Sequence, residues 1–231
     1  MINKKQLNLP KKDKEGNSYL SYSQIATWKK SKREYMRQYF FGESFQGNEY
    51  TDFGSMVGEA LEKNDFKKFT EQETNLLETI PRYDEFEREI KWELDGLFIK
   101  GFLDTNTNDL AGGMGEKSPK AKIDKIADYK TAEIDKKKKD YESEDYIQLE
   151  IYAAAIEQFT GELPKQASVF LIQRDGKSKE YGGKGLTLGD KFITINKPIT
   201  PERIEQVKQE IQEIAEDIAR HYELFLKFNK L

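Results

Sequence analysis

Apolar positions along the chain change their spacing several times, and each change marks a different kind of element. Residues 1–17 carry no such pattern: they are polar, lysine-rich and punctuated by Pro10 and Gly16, and read as a flexible leader before one domain over 18–231. From there Ile25, Trp28, Tyr35, Met36, Tyr39 and Phe40 recur at helical spacing, with Ser21 or Ser23 placed to cap the start and Gly42 to stop it. A second helix is predicted over roughly 53–69. At Glu85 the period shortens to that of strands, with Phe86, Ile90, Trp92 and Leu94 before Asp95-Gly96 and Leu97, Ile99 and Phe102 after it, a hairpin signal. Residues 105–120 are rich in Asn, Gly, Ser and Pro and read as a loop, followed by a strand over 122–131. Ile147, Ile151, Ala154, Ala155 and Ile156 make a helical stripe within 146–159, and strands are predicted over 166–173 and 191–197. Thr200 caps a last helix with Pro201 at its first position and Ile204, Val207, Ile211, Ile214, Ile218 and Tyr222 on one face. The order α, α, β, β, β, α, β, β, α, without internal repeat, places the chain in the α/β class with a long C-terminal helix.

Composition narrows the chemistry. The 231 residues suffice for one substantial core, 35% of them are charged, and no stretch approaches the length of a membrane span. The lysines near the start are followed by no apolar segment of a secretory signal, which predicts a cytoplasmic protein. With no cysteine there is no disulfide, thiolate zinc site or Fe–S cluster, and with His221 as the single histidine any metal must be held mainly by carboxylates, which suits Mg²⁺ or Mn²⁺. A net charge of −4 gives no global attraction to nucleic acid, so binding would depend on local clusters. Two stand out: Lys29, Lys30, Lys32, Arg33 and Arg37 interleaved with Trp28, Tyr35 and Tyr39, and Lys117, Lys120, Lys122 and Lys125 with Lys136 to Lys139 beyond.

Two acids at the ends of neighbouring strands, with a lysine two residues after the second, form an economical phosphodiesterase centre. In Asp128-Tyr129-Lys130 strand alternation puts the carboxylate and the ammonium on one face, and Asp104 on the adjacent strand can complete it. Two carboxylates and the Tyr129 carbonyl would hold a divalent ion, while the lysine steadies charge growing on phosphorus.

The motifs around these residues carry a resemblance. Gly101-Phe102-Leu103-Asp104, then Ile126-Ala127-Asp128-Tyr129-Lys130-Thr131, then Gln148-Leu149 with Tyr152 four residues after Gln148, resemble the PD-(D/E)XK nuclease superfamily, in its RecB-like or phage-type exonuclease branch. Leu20 to Ser23 and Gly54 to Glu62 resemble the family's N-terminal helices. The resemblance implies a restriction-endonuclease-like core: a central mixed sheet flanked by helices. It also implies Mg²⁺ or Mn²⁺ dependence and cleavage of single- or double-stranded DNA ends in recombination, repair or phage replication, with recombination or replication proteins as partners in a bacterial or phage-infected cytoplasm. Asp104, Asp128 and Lys130 would be catalytic, and Gln148 and Tyr152 would meet the substrate, together with Lys117, Lys120 and Lys122 of the intervening loop.

The pattern departs in two places. Where the family's second helix carries a metal-binding histidine this chain has Gly58, so Glu62, on the same face one turn on, or Glu59, rotated by about 100°, would replace the imidazole. The cysteines that hold an Fe–S cluster in several relatives are absent. A silent DNA-binding or scaffold subunit and a structure-specific endonuclease are the alternative readings, and the oligomeric state is left open by the stripe on the last helix.

Overall fold

The computed structural model describes residues 7–44, 46–107 and 123–229. Asp95 and Gly96 take φ of 51° and 86°, as a two-residue primed turn requires, so β2 (Glu85–Leu94) and β3 (Leu97–Asn106) pair antiparallel along their length. The other edge of β3 is divided. The short β1 (Tyr19–Leu20) lies parallel to it at Phe98 and Ile99, and β4 (Lys125–Ala132) meets it antiparallel at Thr105 and Asn106. Between those attachments, Lys100 to Asp104 have no paired strand on that edge among the described residues. β4 runs parallel to β5 (Gln166–Lys177), which pairs antiparallel with β6 (Gly185–Lys197). The six-stranded sheet is therefore mixed, as expected, and opens at its centre where β3 and β4 part.

Helices cover both faces. On one, α1 (Tyr22–Lys30), α6 (Gln148–Thr160) and the long α7 (Pro201–Asn229) enclose the larger core, in which every residue of α6 from Gln148 to Ile156 is buried. On the other, α3 (Glu49–Lys63) and α4 (Glu71–Thr79) pack Phe53, Val57, Leu61 and Leu77 on Ala127, Phe170 and Ile172. Among the described residues no helix is long and apolar enough to cross a membrane.

Several sequence expectations are corrected. The first helix is broken at Ser31, which turns to an extended backbone (φ −163°) and caps α2 (Lys32–Tyr35) through the Glu34 N–H. A turn of π-helix over Met36–Phe40 follows it. The second helix starts and ends earlier than predicted because Asn48 caps it and Asn64 adopts a left-handed conformation (φ 51°). α4 was readable from the capping box Thr70 to Glu73 but not predicted, and α5 (Ile134–Glu142) is the helix on which Lys136 to Lys139 stand. The leader is anchored in part: Leu9 is fully buried in the main core, its N–H donates to Ser18 Oγ at 3.1 Å, and Asp13 pairs with Lys91 at 2.7 Å.

Leu9→Ala should destabilise the folded protein by about 2–5 kcal/mol, the range for emptying a buried leucine site. Urea denaturation tests this, and a change within experimental error would return residues before Ser18 to the status of a loose leader.

Candidate active site

Asp128 occupies the centre of β4 and is completely buried, which a carboxylate tolerates only when its oxygens are satisfied. Alternation brings Lys130 back to the same face, where its Nζ lies 2.9 Å from Oδ1 and 2.7 Å from Oδ2. The Gln148 amide nitrogen, at the first position of α6, donates to Oδ1 at 2.8 Å and to the Tyr152 hydroxyl at 2.9 Å. Tyr146, in the turn before α6, lies with its hydroxyl 2.8 Å from Oδ2 and 3.0 Å from Gln148 Oε1. Gln148 and Tyr152 are one helical turn apart, which is why one amide can hold a strand carboxylate and a phenol together.

Asp104 is less well supplied. It sits where β3 and β4 part, and the backbone N–H of Tyr129 donates to its Oδ2 at 2.8 Å. Loss of solvent, followed by the charge of Asp128, pushes its pKa up to about 8, against the partial relief of Lys130 and that N–H. For Lys130 burial acts downward, but the charges of Asp128 and Asp104 outweigh it and hold the ammonium well above its ordinary pKa.

Because the sheet is open here, Asp104 is reached from both faces. On one side it lines a pocket of about 310 Å³ with Gly58, Glu59, Glu62 and Glu87. On the other it lines a pocket with Tyr22, Gln148 and Tyr152, next to a groove of about 710 Å³ that holds Lys130, Lys137, Tyr141 and Arg174.

The expected residues fare differently. Asp104, Asp128, Lys130, Gln148 and Tyr152 are brought together, and Glu62 faces the same pocket as Asp104. Glu59 lines that pocket but is tied to Lys63 at 2.6 Å. Tyr129 turns away to stack on Phe170. Tyr152 is buried, its ring lies over Gly101, and its hydroxyl meets Gln148. Lys117, Lys120 and Lys122 lie outside the described residues. In the first basic cluster, Lys29 pairs with Asp145 and Glu210, Lys32 with Asp217, and Arg37 with Glu34 and Glu43. Those charges mainly fasten α1 and α2 to neighbouring acids.

Two participants were missed. Tyr146 gave no signal because its role depends on a turn two residues before the recognised helix motif. Glu87 falls opposite Asp104 in the β2–β3 register, with Phe86 facing Thr105 and Arg88 facing Leu103, and its φ of 48° interrupts the pairing there. Burial, followed by the charges of Glu62 and Asp128, raises its pKa.

Part of this geometry also carries a family signature. Residues 122–225 match the sequence model of the PD-(D/E)XK nuclease superfamily, a span that includes Asp128, Lys130, Gln148 and Tyr152. A crystal structure of a "Putative exonuclease" from Eubacterium rectale is similar over 88% of this chain and 79% of its own, with 16% identity and a TM-score of 0.48. No curated protein is significantly similar in sequence.

The elevated Asp104 pKa has a consequence for the metal-free protein. The folded state keeps that proton up to about 8, whereas the unfolded carboxyl releases it near the ordinary 3.8. More protons are bound in the folded than in the unfolded state across that window, so this stabilisation is complete below the lower value and is lost as pH rises through the upper one. Thermal unfolding in EDTA should therefore occur at lower temperature at about pH 8 than at about pH 5, and Asp104→Asn should flatten the decline. Parallel slopes for the two proteins would exclude Asp104 as its source.

Proposed function

We propose that this protein is a cytoplasmic, divalent-metal-dependent deoxyribonuclease that hydrolyses DNA phosphodiester bonds, acting as an exonuclease in recombination, repair or phage replication. The convergence of Asp104, Asp128 and Lys130 at the opening between β3 and β4 carries the reading.

The donor set fits a hard cation. Asp104 has excess negative charge beside it, and oxygen ligands are what Mg²⁺ and Mn²⁺ prefer. Among the described residues no three acidic or imidazole side chains converge as a ready-made metal cage. That suits Mg²⁺, which commonly uses one or two carboxylates and fills the rest of its shell with water and substrate phosphate. Asp104, Asp128 and the Tyr129 carbonyl would hold the ion, with Glu62 on the Gly58 side. Bound there, a divalent ion would polarise a phosphoryl oxygen and make water a stronger nucleophile at neutral pH.

The chain's own groups supply the remainder. Gln148 and Tyr146 fix the Asp128 carboxylate so that it need not reorganise during reaction. Lys130, on the groove side, would stabilise charge developing on phosphorus. The removed side chain at Gly58 favours a second reading, a catalytically silent subunit that binds DNA.

End-labelled DNA should be cut by the purified protein with Mg²⁺ or Mn²⁺ and not with EDTA. Asp128→Ala and Lys130→Ala should each lower the rate by at least about 10²-fold, the scale of removing one group aimed at transition-state charge. Release of terminal nucleotides would support an exonuclease, whereas internal fragments would indicate an endonuclease. Intact binding without cleavage in either metal would favour the silent subunit. A Cβ at position 58 would meet nothing within 4 Å, so a side chain can start there, and Gly58→His should tighten Mn²⁺ binding measured by EPR.

A further inference from the structure

We infer that the pocket beside Asp104 on the Gln148 side is a binding site for an unpaired nucleobase, so that the preferred substrate is a single strand or a frayed end. The inference rests on the nuclease reading and adds the state of the nucleic acid at the scissile position.

The pocket has a volume of about 450 Å³, within the roughly 300–1,000 Å³ of small-ligand sites. Four of its ten lining residues are aromatic: Tyr19 and Tyr22 come from β1 and the start of α1, Phe102 from β3, and Tyr152 from α6. Parallel pairing of Tyr19 with Phe98 carries the chain into α1 across the unpaired edge of β3, which sets Tyr22 near Asp104. Gly101 permits the close approach of Tyr152: a Cβ there would stand 2.8 Å from the Tyr152 ring.

Phe102 is the unexplained member. It is 47% exposed, two residues from Asp104 in sequence, and lines the same pocket. Single exposed apolar residues are ordinary, but one inside a concave aromatic pocket, beside a hydrolytic carboxylate, offers a ring face to a ligand. Nucleobases present flat faces to such rings when they are unpaired and unstacked, and every base can use them. In a duplex those faces are covered by neighbouring bases. At the rim the Ser21 and Ser23 hydroxyls, 2.9 Å apart, can rotate to donate to or accept from a base edge, which suits tolerance of base identity.

The location also fits the path of a strand. Tyr22, Ser23 and Gln148 line both this pocket and the groove containing Lys130, Lys137 and Arg174. A backbone lying in that groove passes Lys130 and reaches Asp104 with the next base directed into the pocket. Occupancy would press on Tyr152, whose hydroxyl is joined through Gln148 to Asp128.

The test is fluorescence anisotropy of labelled single-stranded DNA and of a blunt duplex, in EDTA to prevent cleavage, with 2-aminopurine near the strand end to report stacking. Phe102→Ala should weaken single-strand binding about tenfold, inside the roughly 5- to 150-fold expected for one lost base–aromatic stack, and leave duplex binding unchanged. Phe102→Trp should retain binding and the quenching of 2-aminopurine. Equal single-strand affinity in wild type and Phe102→Ala, or absence of quenching in wild type, would overturn the pocket while leaving the nuclease reading in place. If wild type binds neither DNA, the nucleic-acid reading itself falls and the pocket with it.

Discussion

Two carboxylates are held together at the opening of the sheet, and the surrounding structure is arranged around the unequal way in which they are satisfied. Asp128 receives Lys130, Gln148 and Tyr146, whereas Asp104 receives the Tyr129 N–H. Taking a carboxylate out of water costs several kcal/mol unless hydrogen bonds or opposite charge replace the solvent. Asp128 has that replacement in full. Asp104 does not, and its raised pKa expresses the shortfall. A site with one saturated acid and one undersupplied acid is poised to gain from a cation or a proton, and the same imbalance makes it a poor element of stability.

The fold maintains this arrangement through a second polar layer behind the first. Glu150 and Lys197 are nearly completely buried, and Glu150 Oε1 lies 3.7 Å from both the Lys197 and the Arg203 side chains. Lys197 donates to the Ser143 carbonyl at 2.7 Å and sits 5.7 Å from the centre of the Tyr146 ring. The turn that carries Tyr146 is thereby fixed to β6 and α7, and α6 is fixed two residues beyond Gln148. Placing Gln148 and Tyr146 on tethered elements keeps the Asp128 donors in position when a substrate or ion perturbs the front of the site.

Much of this was legible because it depends on local rules. The Asp95-Gly96 hairpin, the Asp128-Lys130 alternation and the Gln148 to Tyr152 turn each require only strand or helix periodicity, and each forms as expected. Ser31 was harder, since a serine that caps a new helix has the same apolar neighbours as one inside a continuous helix. Glu87 was hidden for a different reason: its relation to Asp104 comes from strand register and a positive φ, neither of which is marked by glycine or asparagine there. Leu9 escaped because two leucines in a polar segment are too short a pattern to read, although Leu7 packs against the core that buries Leu9.

Two glycines of the site separate packing from chemistry. At Gly101 a side chain is excluded by the Tyr152 ring, so this position is explained by the layer it supports. At Gly58 a Cβ would meet open space, and glycine within a helix costs about 1 kcal/mol relative to alanine. Packing therefore gives no reason for glycine at 58. Its consequence is on the site side, where the pocket shared by Glu62, Glu87 and Asp104 is left wider than any other residue would leave it. The undersupplied carboxylate thus faces a space large enough for water or a phosphate oxygen, on the side opposite the aromatic pocket. Asp104 therefore stands at the opening between an acidic pocket that Gly58 keeps wide and an aromatic pocket that Gly101 lets Tyr152 close.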